Sequence, residues 1–269
     1  MLDLELAAEA ATHLDGTVER AAMAAPHLSG PAGVLQGGIA TGALLRAARA
    51  VDGFGAPTTA VDARLHAPTP VGTPVATRVQ SITAATYDVA VVADGTTLVS
   101  GTVELAGHDP APRVADLLDL ARVPLPTPVP ERLAPDCWVC GVDNDRGLHL
   151  YPARLPDGRV VQGWVPPAEL ADERGMLDEL AVCAVLDCPT VFASSHHLAT
   201  LGMRAALLAG FHVRFFARAP VMEPLRIVAQ LDSADGRKLS ARSALIDEEG
   251  TVYAVASAFQ FGVEAMPGT

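Results

Sequence analysis

The sequence predicts an α+β protein made of two copies of one unit, a helix followed by antiparallel strands. One observation is a repeat, in which Arg, five residues, Pro-Val, two residues, Pro and an apolar residue begin at Arg64 and again at Arg214, 150 residues later. A second is the alternation of apolar and polar residues in 76–80 and 226–230, which is typical of half-buried strands. Because the same order of elements follows in both halves, we interpret the repeat as an internal duplication rather than a chance likeness of two β meanders.

Each half begins with a helix-like segment and continues with paired strands. The helical segments are residues 38–51 and 177–186, and the second ends before Pro189. Asp94-Gly95 and Glu249-Gly250 are typical hairpin turns. The strands that these turns join are predicted at residues 87–93 and 97–105, and at 239–246 and 252–261. Pro156-Asp157-Gly158 predicts a further hairpin between residues 147–155 and 159–165.

The two halves are separated by a proline-rich stretch. Residues 107–135 contain seven prolines, which cannot donate hydrogen bonds inside a sheet and therefore suit an extended linker. Within it, residues 114–122 are compatible with a short helix. We expect an N-terminal domain at residues 1–108, a linker at 109–135 and a C-terminal domain at 136–269.

Composition argues against several classes of protein. Half of the 269 residues are apolar, enough for a packed core and too many for a disordered chain. The net charge of −12 disfavours nucleic acids and anionic membrane surfaces as partners. No apolar run has the length of a membrane span, the acidic start of the chain is unlike a signal peptide, and four cysteines do not form a disulfide framework. We therefore expect a soluble, cytoplasmic protein.

One segment near the start of the second half has a distinctive spacing, Cys137-Trp138-Val139-Cys140-Gly141 followed by Asn144 and Gly147-Leu148. It resembles the Cys-x-x-Cys-Gly and Asn-x-x-Gly-Leu pattern that opens many thioesterase-family hotdog domains. Residues 35–40 resemble their His-Gly-Gly-apolar-apolar motif, with Gln36 in place of His. The second half of the sequence also resembles the later strands of these domains, at residues 214–224, 235–239 and 247–250. The resemblance implies two fused hotdog domains, each an antiparallel sheet wrapped around a central helix.

The same resemblance implies where catalytic residues lie. The family pattern often has an acidic residue nine positions after the His, on the central helix, but in the first half that position is Leu45. In the second half Leu186-Asp187 fits the pattern, whereas Asp178, nine positions earlier, is not followed by Gly-Gly. Hotdog pairs form their sites between partners. We therefore expect one composite site, in which Gln36, Gly37 and Gly38 face Asp187, and one degenerate site.

Thioester hydrolysis gives these residues expected roles. Asp187 is the expected base or nucleophile, Gln36 a hydrogen-bond donor, and the N–H groups of Gly37 and Gly38 the expected oxyanion donors. The alternatives are structural: the glycines can simply let a helix begin against a close neighbour, and Asp187 can cap a helix end. Asp178 and Glu179 suit a helix start, because carboxylates are favourable at the positive N-terminal end.

Other candidate residues have weaker signals. Arg64 and Arg214 occupy equivalent positions and are candidate ligands for the phosphates of coenzyme A, or members of salt bridges at the sheet edge. Cys137 and Cys140 are predicted to form a structural turn rather than half of a zinc site. His196-His197 is predicted to lie in a surface loop. We expect no metal and no cofactor.

The resulting functional prediction is an acyl-thioester hydrolase that acts on an acyl-CoA or acyl-carrier thioester. The alternatives are a non-catalytic acyl-binding protein and a hotdog enoyl hydratase or dehydratase, although the Asp and His pattern usual for the latter is not found. A homo-oligomer, specifically a homodimer, is expected because a fused pair leaves sheet edges to cover.

Overall fold

A computed structural model describes residues 4–31, 33–52, 55–106, 114–130 and 133–264. The helices in these ranges are α1 (Gly37–Arg49), α2 (Ala115–Leu118) and α3 (Glu179–Thr200). The strands are β1 (Leu4–Leu6), β2 (Ala11–Thr12), β3 (Val18–Ala24), β4 (Ala60–Leu65), β5 (Val75–Ser81), β6 (Thr86–Ala93), β7 (Thr96–Glu104), β8 (Ala153–Arg154), β9 (Val160–Trp164), β10 (Ala205–Phe215), β11 (Leu225–Asp235), β12 (Lys238–Ile246) and β13 (Val252–Val263).

The strands form one continuous antiparallel sheet that spans both halves of the sequence. Its order is β1-β3-β5-β6-β7-β4-β10-β13-β12-β11-β9-β8, with β2 paired to β3. The halves meet where β4 pairs with β10, in a register that places Val61 opposite Val213. On one side of this seam follow β7, β6, β5 and β3, and on the other β13, β12, β11 and β9. The predicted order of a helix followed by antiparallel strands is thus found in both halves.

Helices α1 and α3 pack against each other on one face of the sheet, and their contact is unusually close. A Cβ on Gly38 would lie 2.2 Å from the carbonyl oxygen of Cys183, and one on Gly42 would lie 2.8 Å from Cγ of Leu180. Successive turns of α1 therefore contact earlier turns of α3, so the helices are antiparallel. The two glycines remove side chains that would otherwise hold the helices apart.

The second helix is longer than predicted. It was expected to end before Pro189, but α3 continues through Pro189 to Thr200. Donors from side chains reach the carbonyls near the proline: the Ser243 hydroxyl donates to Leu186 (2.6 Å) and the Thr190 hydroxyl to Asp187 (2.6 Å). Such substitutes for lost helical hydrogen bonds let a helix tolerate an internal proline. The prediction of a surface loop at His196-His197 is consequently wrong, since both residues lie in α3.

The strand predicted at residues 147–155 is mostly wrong as well. Only Ala153–Arg154 pairs, as β8. The N–H groups of Leu148 and Leu150 instead donate to the carbonyls of Trp138 and Val139, at 2.7 and 2.9 Å. The Cys-x-x-Cys segment therefore uses the backbone donors that a strand would need.

Part of the predicted linker packs on the sheet. The expected short helix is present as α2 and a following 3₁₀ turn, Asp119–Arg122. Leu117 and Leu120 are fully buried against Val228 and Ala244, in a cluster separate from the core that holds α1 and α3. Residues 109–113 and 131–132 of the linker lie outside the described residues. The domain boundaries remain a prediction.

Candidate active site

The site is centred on Asp187, which the middle of α3 carries into the interior. Asp187 is only 6% exposed to solvent. A buried carboxylate is costly unless hydrogen bonds satisfy it, so its partners decide whether the position is tenable. Both hydrogen bonds to its side chain come from the first half of the sequence.

Gln36 and Gly38 hold the Asp187 carboxylate from the start of α1. Gln36 Nε2 donates to Oδ2 of Asp187 at 2.8 Å, and the Gly38 backbone N–H donates to the same oxygen at 3.0 Å. Gln36 is also the N-cap of α1, because its Oε1 accepts from the Ile39 N–H at 2.8 Å. One side chain therefore both begins the helix and contacts the acid.

Burial changes the acidity of this carboxyl group. Loss of solvation raises the pKa of Asp187 to about 7, while the Gly38 N–H opposes the rise and negative charge on Cys137 adds to it. The positive end of α1 points at the same group and favours its ionised form. A carboxylate with this pKa exchanges a proton near neutral pH, as a general base requires.

Asp187 lies in the wall of an apolar cavity of about 400 Å³. Gln36 and Gly37 line the same cavity. Its apolar lining comes from both halves of the chain and includes Leu35, Ala40, Leu65, Phe192, Leu208 and Phe261. A mainly apolar cavity with a few convergent polar groups is the usual form of a site for a small molecule with a hydrocarbon portion.

The two glycines have different roles in the geometry. Both were expected to donate to a substrate oxygen, but in this structure the Gly38 N–H is bound to Asp187. The Gly37 N–H, at the first position of α1, has no intrahelical acceptor, as expected for a helix start, and no acceptor among the residues described. Gly37 also lines the cavity, and a Cβ there would lie 3.0 Å from Oδ2 of Asp187.

The backbone of Asp187 is held from within its own half of the chain, through Thr190 of α3 and Gln260 of β13. Its carbonyl accepts from the Thr190 hydroxyl, and Gln260 of β13 donates to that hydroxyl from Nε2 at 2.6 Å. Gln260 is fully buried. This chain of hydrogen bonds fixes the turn of α3 that presents the carboxylate, and the sequence alone does not indicate it.

Ion pairs link the start of α3 to the end of α1, at the end of the helix pair away from Asp187. Asp178 caps α3, accepting from the Leu180 N–H at 2.8 Å, and its carboxylate pairs with Arg46 at 2.9 Å. Glu179 accepts from the Thr58 hydroxyl at 2.7 Å and pairs with Arg49 at 3.4 Å. The predicted helix start is thus confirmed for Asp178 and Glu179.

The structure separates the predicted arginines from the site. Arg64 lies on β4 between Ala63, which packs in the core, and Leu65, which lines the cavity, so its exposed side chain points to the outer face of the sheet. Arg214 alternates with the core residues Val213 and Phe215 on β10 and points outward as well. Neither arginine lines the cavity, and contact with coenzyme A phosphates remains a prediction.

Two cavity residues were missed or left without a role by the sequence reasoning. Cys188 brings its thiol within 3.6 Å of the Cys137 thiol, although 51 residues separate them. His66 also lines the cavity, and its Nε2 contacts the Ser100 hydroxyl at 2.8 Å. The predicted turn at Cys137 is present, with the Gly141 N–H donating to the Cys137 carbonyl at 2.7 Å.

Comparison with known proteins gives similarity in structure rather than in sequence. No family model and no curated protein matches the chain. A protein of unknown function with a hot dog fold from Alicyclobacillus acidocaldarius superposes with a TM-score of 0.64 at 15% identity, covering 95% of this chain and 97% of that one. An acyl-CoA thioesterase II, TesB2, from Mycobacterium marinum superposes with a TM-score of 0.61 at 18% identity, covering 100% and 97%.

The chain has the hotdog fold. The expectation from the sequence motifs is confirmed at this level. A dehydratase domain of a mycocerosic acid synthase-like polyketide synthase is similar too, with a TM-score of 0.62 at 17% identity over 95% of this chain and 93% of that one. Because this hotdog architecture serves different reactions, the argument about activity rests on the side chains of the site. Among the helices of the described ranges, none is long and apolar enough to cross a membrane.

Proposed function

We propose that the protein is an acyl-thioester hydrolase that acts on acyl-CoA, with one active site shared between the two hotdog halves. The observation that carries the proposal is the buried Asp187 carboxylate, held by Gln36 and by the N-terminus of α1 in the wall of an apolar cavity. Likeness in fold to an acyl-CoA thioesterase supports the substrate class.

In the proposed reaction the acyl chain occupies the cavity and the thioester carbonyl lies beside Gly37. Asp187 takes a proton from a water molecule, whose oxygen attacks the carbonyl carbon. The Gly37 N–H and the positive end of α1 stabilise the oxyanion that forms. The intermediate then collapses, the carbon–sulfur bond breaks, and Asp187 returns the proton to the departing thiolate.

The roles of Gln36 and Gly38 are to position Asp187. Their donors both contact Oδ2, which leaves Oδ1 without a hydrogen bond from the residues described and available to the attacking water. Fixing a base within hydrogen-bond reach of its water is a major part of catalysis by proximity. A cytoplasmic location and a homodimer accompany this proposal as predictions.

A second candidate is an enoyl hydratase or dehydratase. Hotdog enzymes of that class usually pair an aspartate with a histidine, and His66 lines the same cavity as Asp187, although its ring nitrogen contacts the Ser100 hydroxyl and not Asp187. The two reactions differ in product: hydrolysis releases a free thiol, whereas hydration leaves the thioester intact.

The proposal is tested by detecting free thiol when purified protein is mixed with acyl-CoA esters of several chain lengths. We expect Asp187→Asn to lower kcat by about 10²–10⁴-fold, the usual contribution of a general base. Asp178→Asn is the matched control, since it removes a carboxylate from the same helix outside the cavity.

Three results would contradict the proposal in different ways. Unchanged thiol release by Asp187→Asn would remove Asp187 from the reaction. Tight binding of acyl-CoA by the wild type without thiol release would favour a binding protein, and hydration of an enoyl-CoA would favour the second candidate.

A further inference from the structure

Three buried thiols form a cluster in the wall of the cavity beside Asp187. The sulfur atoms of Cys137, Cys140 and Cys188 all lie within 4.8 Å of one another. The sulfur atoms of Cys137 and Cys188 are 3.6 Å apart. Cys183, the fourth cysteine, lies one turn earlier in α3 and is not part of this cluster.

Hydrogen bonds and helix α3 anchor the two sides of the cluster separately. Asn144 Nδ2 donates to the carbonyls of His27 and Asp136, at 2.7 and 2.8 Å, and the Trp138 N–H donates to the Ser29 carbonyl at 2.7 Å. The Cys-x-x-Cys turn is therefore tied to the first half of the chain, while Cys188 is part of α3. The contact between Cys137 and Cys188 results from tertiary structure and joins two separately anchored elements.

The cluster has the properties of a reactive thiol with a resolving partner. Hydrogen bonds from the Cys140 and Cys188 thiols hold the pKa of the Cys137 thiol well below its ordinary value. All three cysteines line the cavity, which gives a small oxidant a route to them. Cysteines that respond to oxidants usually combine a favoured thiolate with a second thiol in reach.

The surroundings favour this chemistry over a metal site. Three thiolates bound to a divalent cation would still leave net negative charge beside the Asp187 carboxylate. Of the described residues that line the cavity, His66 is the only one with a basic side chain. A disulfide is neutral and leaves no thiolate charge beside that carboxylate.

We propose that Cys137 and Cys188 form a reversible disulfide in the presence of a peroxide, and that this disulfide inactivates the site. The Cys137 sulfur attacks the peroxide, the oxygen–oxygen bond breaks, and Cys137 becomes a sulfenic acid with release of one water. The Cys188 thiol then attacks that sulfur and a second water leaves. In sum two thiols are oxidised and one hydrogen peroxide is reduced to two waters.

The disulfide changes the geometry around the proposed base. The two sulfur atoms must approach from 3.6 Å to about 2 Å. Cys188 follows Asp187 directly, and Gln36 Nε2 contacts both the Cys188 sulfur and the Asp187 carboxylate. A displacement on the order of 1 Å at a positioned catalytic group costs about 10²-fold in rate, and we expect a loss of that size. This part of the inference rests on the proposed hydrolase activity, whereas disulfide formation does not.

The test treats the full-length protein with hydrogen peroxide, blocks the remaining thiols with a maleimide, and maps disulfides by mass spectrometry of its peptides. We expect a peptide pair joined through Cys137 and Cys188, thiol release from acyl-CoA reduced about 10²-fold, and recovery of both by dithiothreitol. Cys188→Ala is expected to lack the cross-link. Cys183→Ala is the control and is expected to form it as the wild type does.

Distinct results overturn the inference. Absence of the cross-link, cross-linking through other cysteines only, irreversible oxidation of Cys137, or a stoichiometric metal that protects the thiols would each contradict the disulfide. A cross-link that forms while thiol release is unchanged would contradict the inactivation. If the untreated protein has no hydrolase activity, the cross-link is still measured, so failure of the proposed function is seen separately.

Discussion

Gly38→Ala is the substitution that most sharply tests how the helix pair builds the site. Its Cβ would lie 2.2 Å from the Cys183 carbonyl oxygen and 2.8 Å from Cα of Ala184, both rigid backbone atoms of α3. Ordinary contact begins at 3.4 Å, so α1 and α3 have to separate by about 1 Å. Overpacking of this kind costs about 1–3 kcal/mol, from which the better helix propensity of alanine recovers at most about 1 kcal/mol.

The same displacement acts directly on the proposed base. The Gly38 N–H donates to Asp187 at 3.0 Å, and a separation of about 1 Å breaks that hydrogen bond. We therefore expect the free energy of unfolding to fall by about 1–2 kcal/mol and kcat to fall by about 10²-fold. Denaturant unfolding measures the first quantity, and thiol release at saturating acyl-CoA measures the second.

Two further glycines calibrate the result. In Gly210→Ala the nearest atom to the new Cβ is 3.7 Å away, so neither stability nor kcat is expected to change greatly. In Gly42→Ala the Cβ meets Leu180 one turn further along α1, which is expected to lower stability with a smaller effect on kcat. If Gly38→Ala behaves like Gly210→Ala in both assays, the reasoning about the helix contact is refuted.

Three further predictions concern the carboxyl groups of Asp187 and Asp178. Because Asp187 must be ionised to act as a base and its pKa is about 7, kcat/KM is expected to rise with pH up to about 7 and then level off, measured in the presence of a reductant. Since the folded pKa lies above the ordinary value of 3.8, wild-type stability relative to Asp187→Asn is expected to fall as pH rises from about 4 to 7. Because the variant keeps the other cavity groups (His66, Cys137, Cys140 and Cys188), the difference in stability between the two proteins reports on Asp187. A stability difference that does not change with pH would contradict the raised pKa of Asp187. Asp178→Asn is expected to leave hydrolysis unchanged and to lower the free energy of unfolding by less than about 1 kcal/mol, because the ion pair between Asp178 and Arg46 is partly exposed. A large loss of kcat in this variant would show that the ion pairs at the start of α3 have a catalytic role.

Much of the fold followed from local patterns in the sequence. Alternation of apolar and polar residues and the Asp-Gly and Glu-Gly turns located the later strands of each half close to their observed bounds, since period-two burial is a local property. The end of α3 was misplaced because Pro189 normally stops a helix. Donors distant in sequence, such as Ser243, lie near the carbonyls around it, and no local pattern shows them.

The candidate site was likewise predicted from the sequence only in part. The resemblance of residues 36–38 to a family motif, together with Asp187, led to a juxtaposition that the structure contains, with Gln36 and Asp187 2.8 Å apart. The contribution of Cys188 was not foreseen, because spacing along the chain does not show which residue of α3 faces the Cys-x-x-Cys turn. Equivalence in the repeat placed Arg64 and Arg214 at matching strand positions, and the structure adds that both side chains lie on the face of the sheet opposite the helices, so their contact with coenzyme A phosphates stays a prediction.

The central claim is that Gln36 of one half acts through Asp187 of the other. A double-mutant cycle on kcat tests it most directly, with Gln36→Ala, Asp187→Asn and the double variant measured by thiol release from acyl-CoA. If the two residues form one unit, the double variant is no slower than Asp187→Asn alone, because the function of Gln36 is already lost. If the two losses multiply, Gln36 and Asp187 act independently, and the claim that Gln36 acts through Asp187 is contradicted.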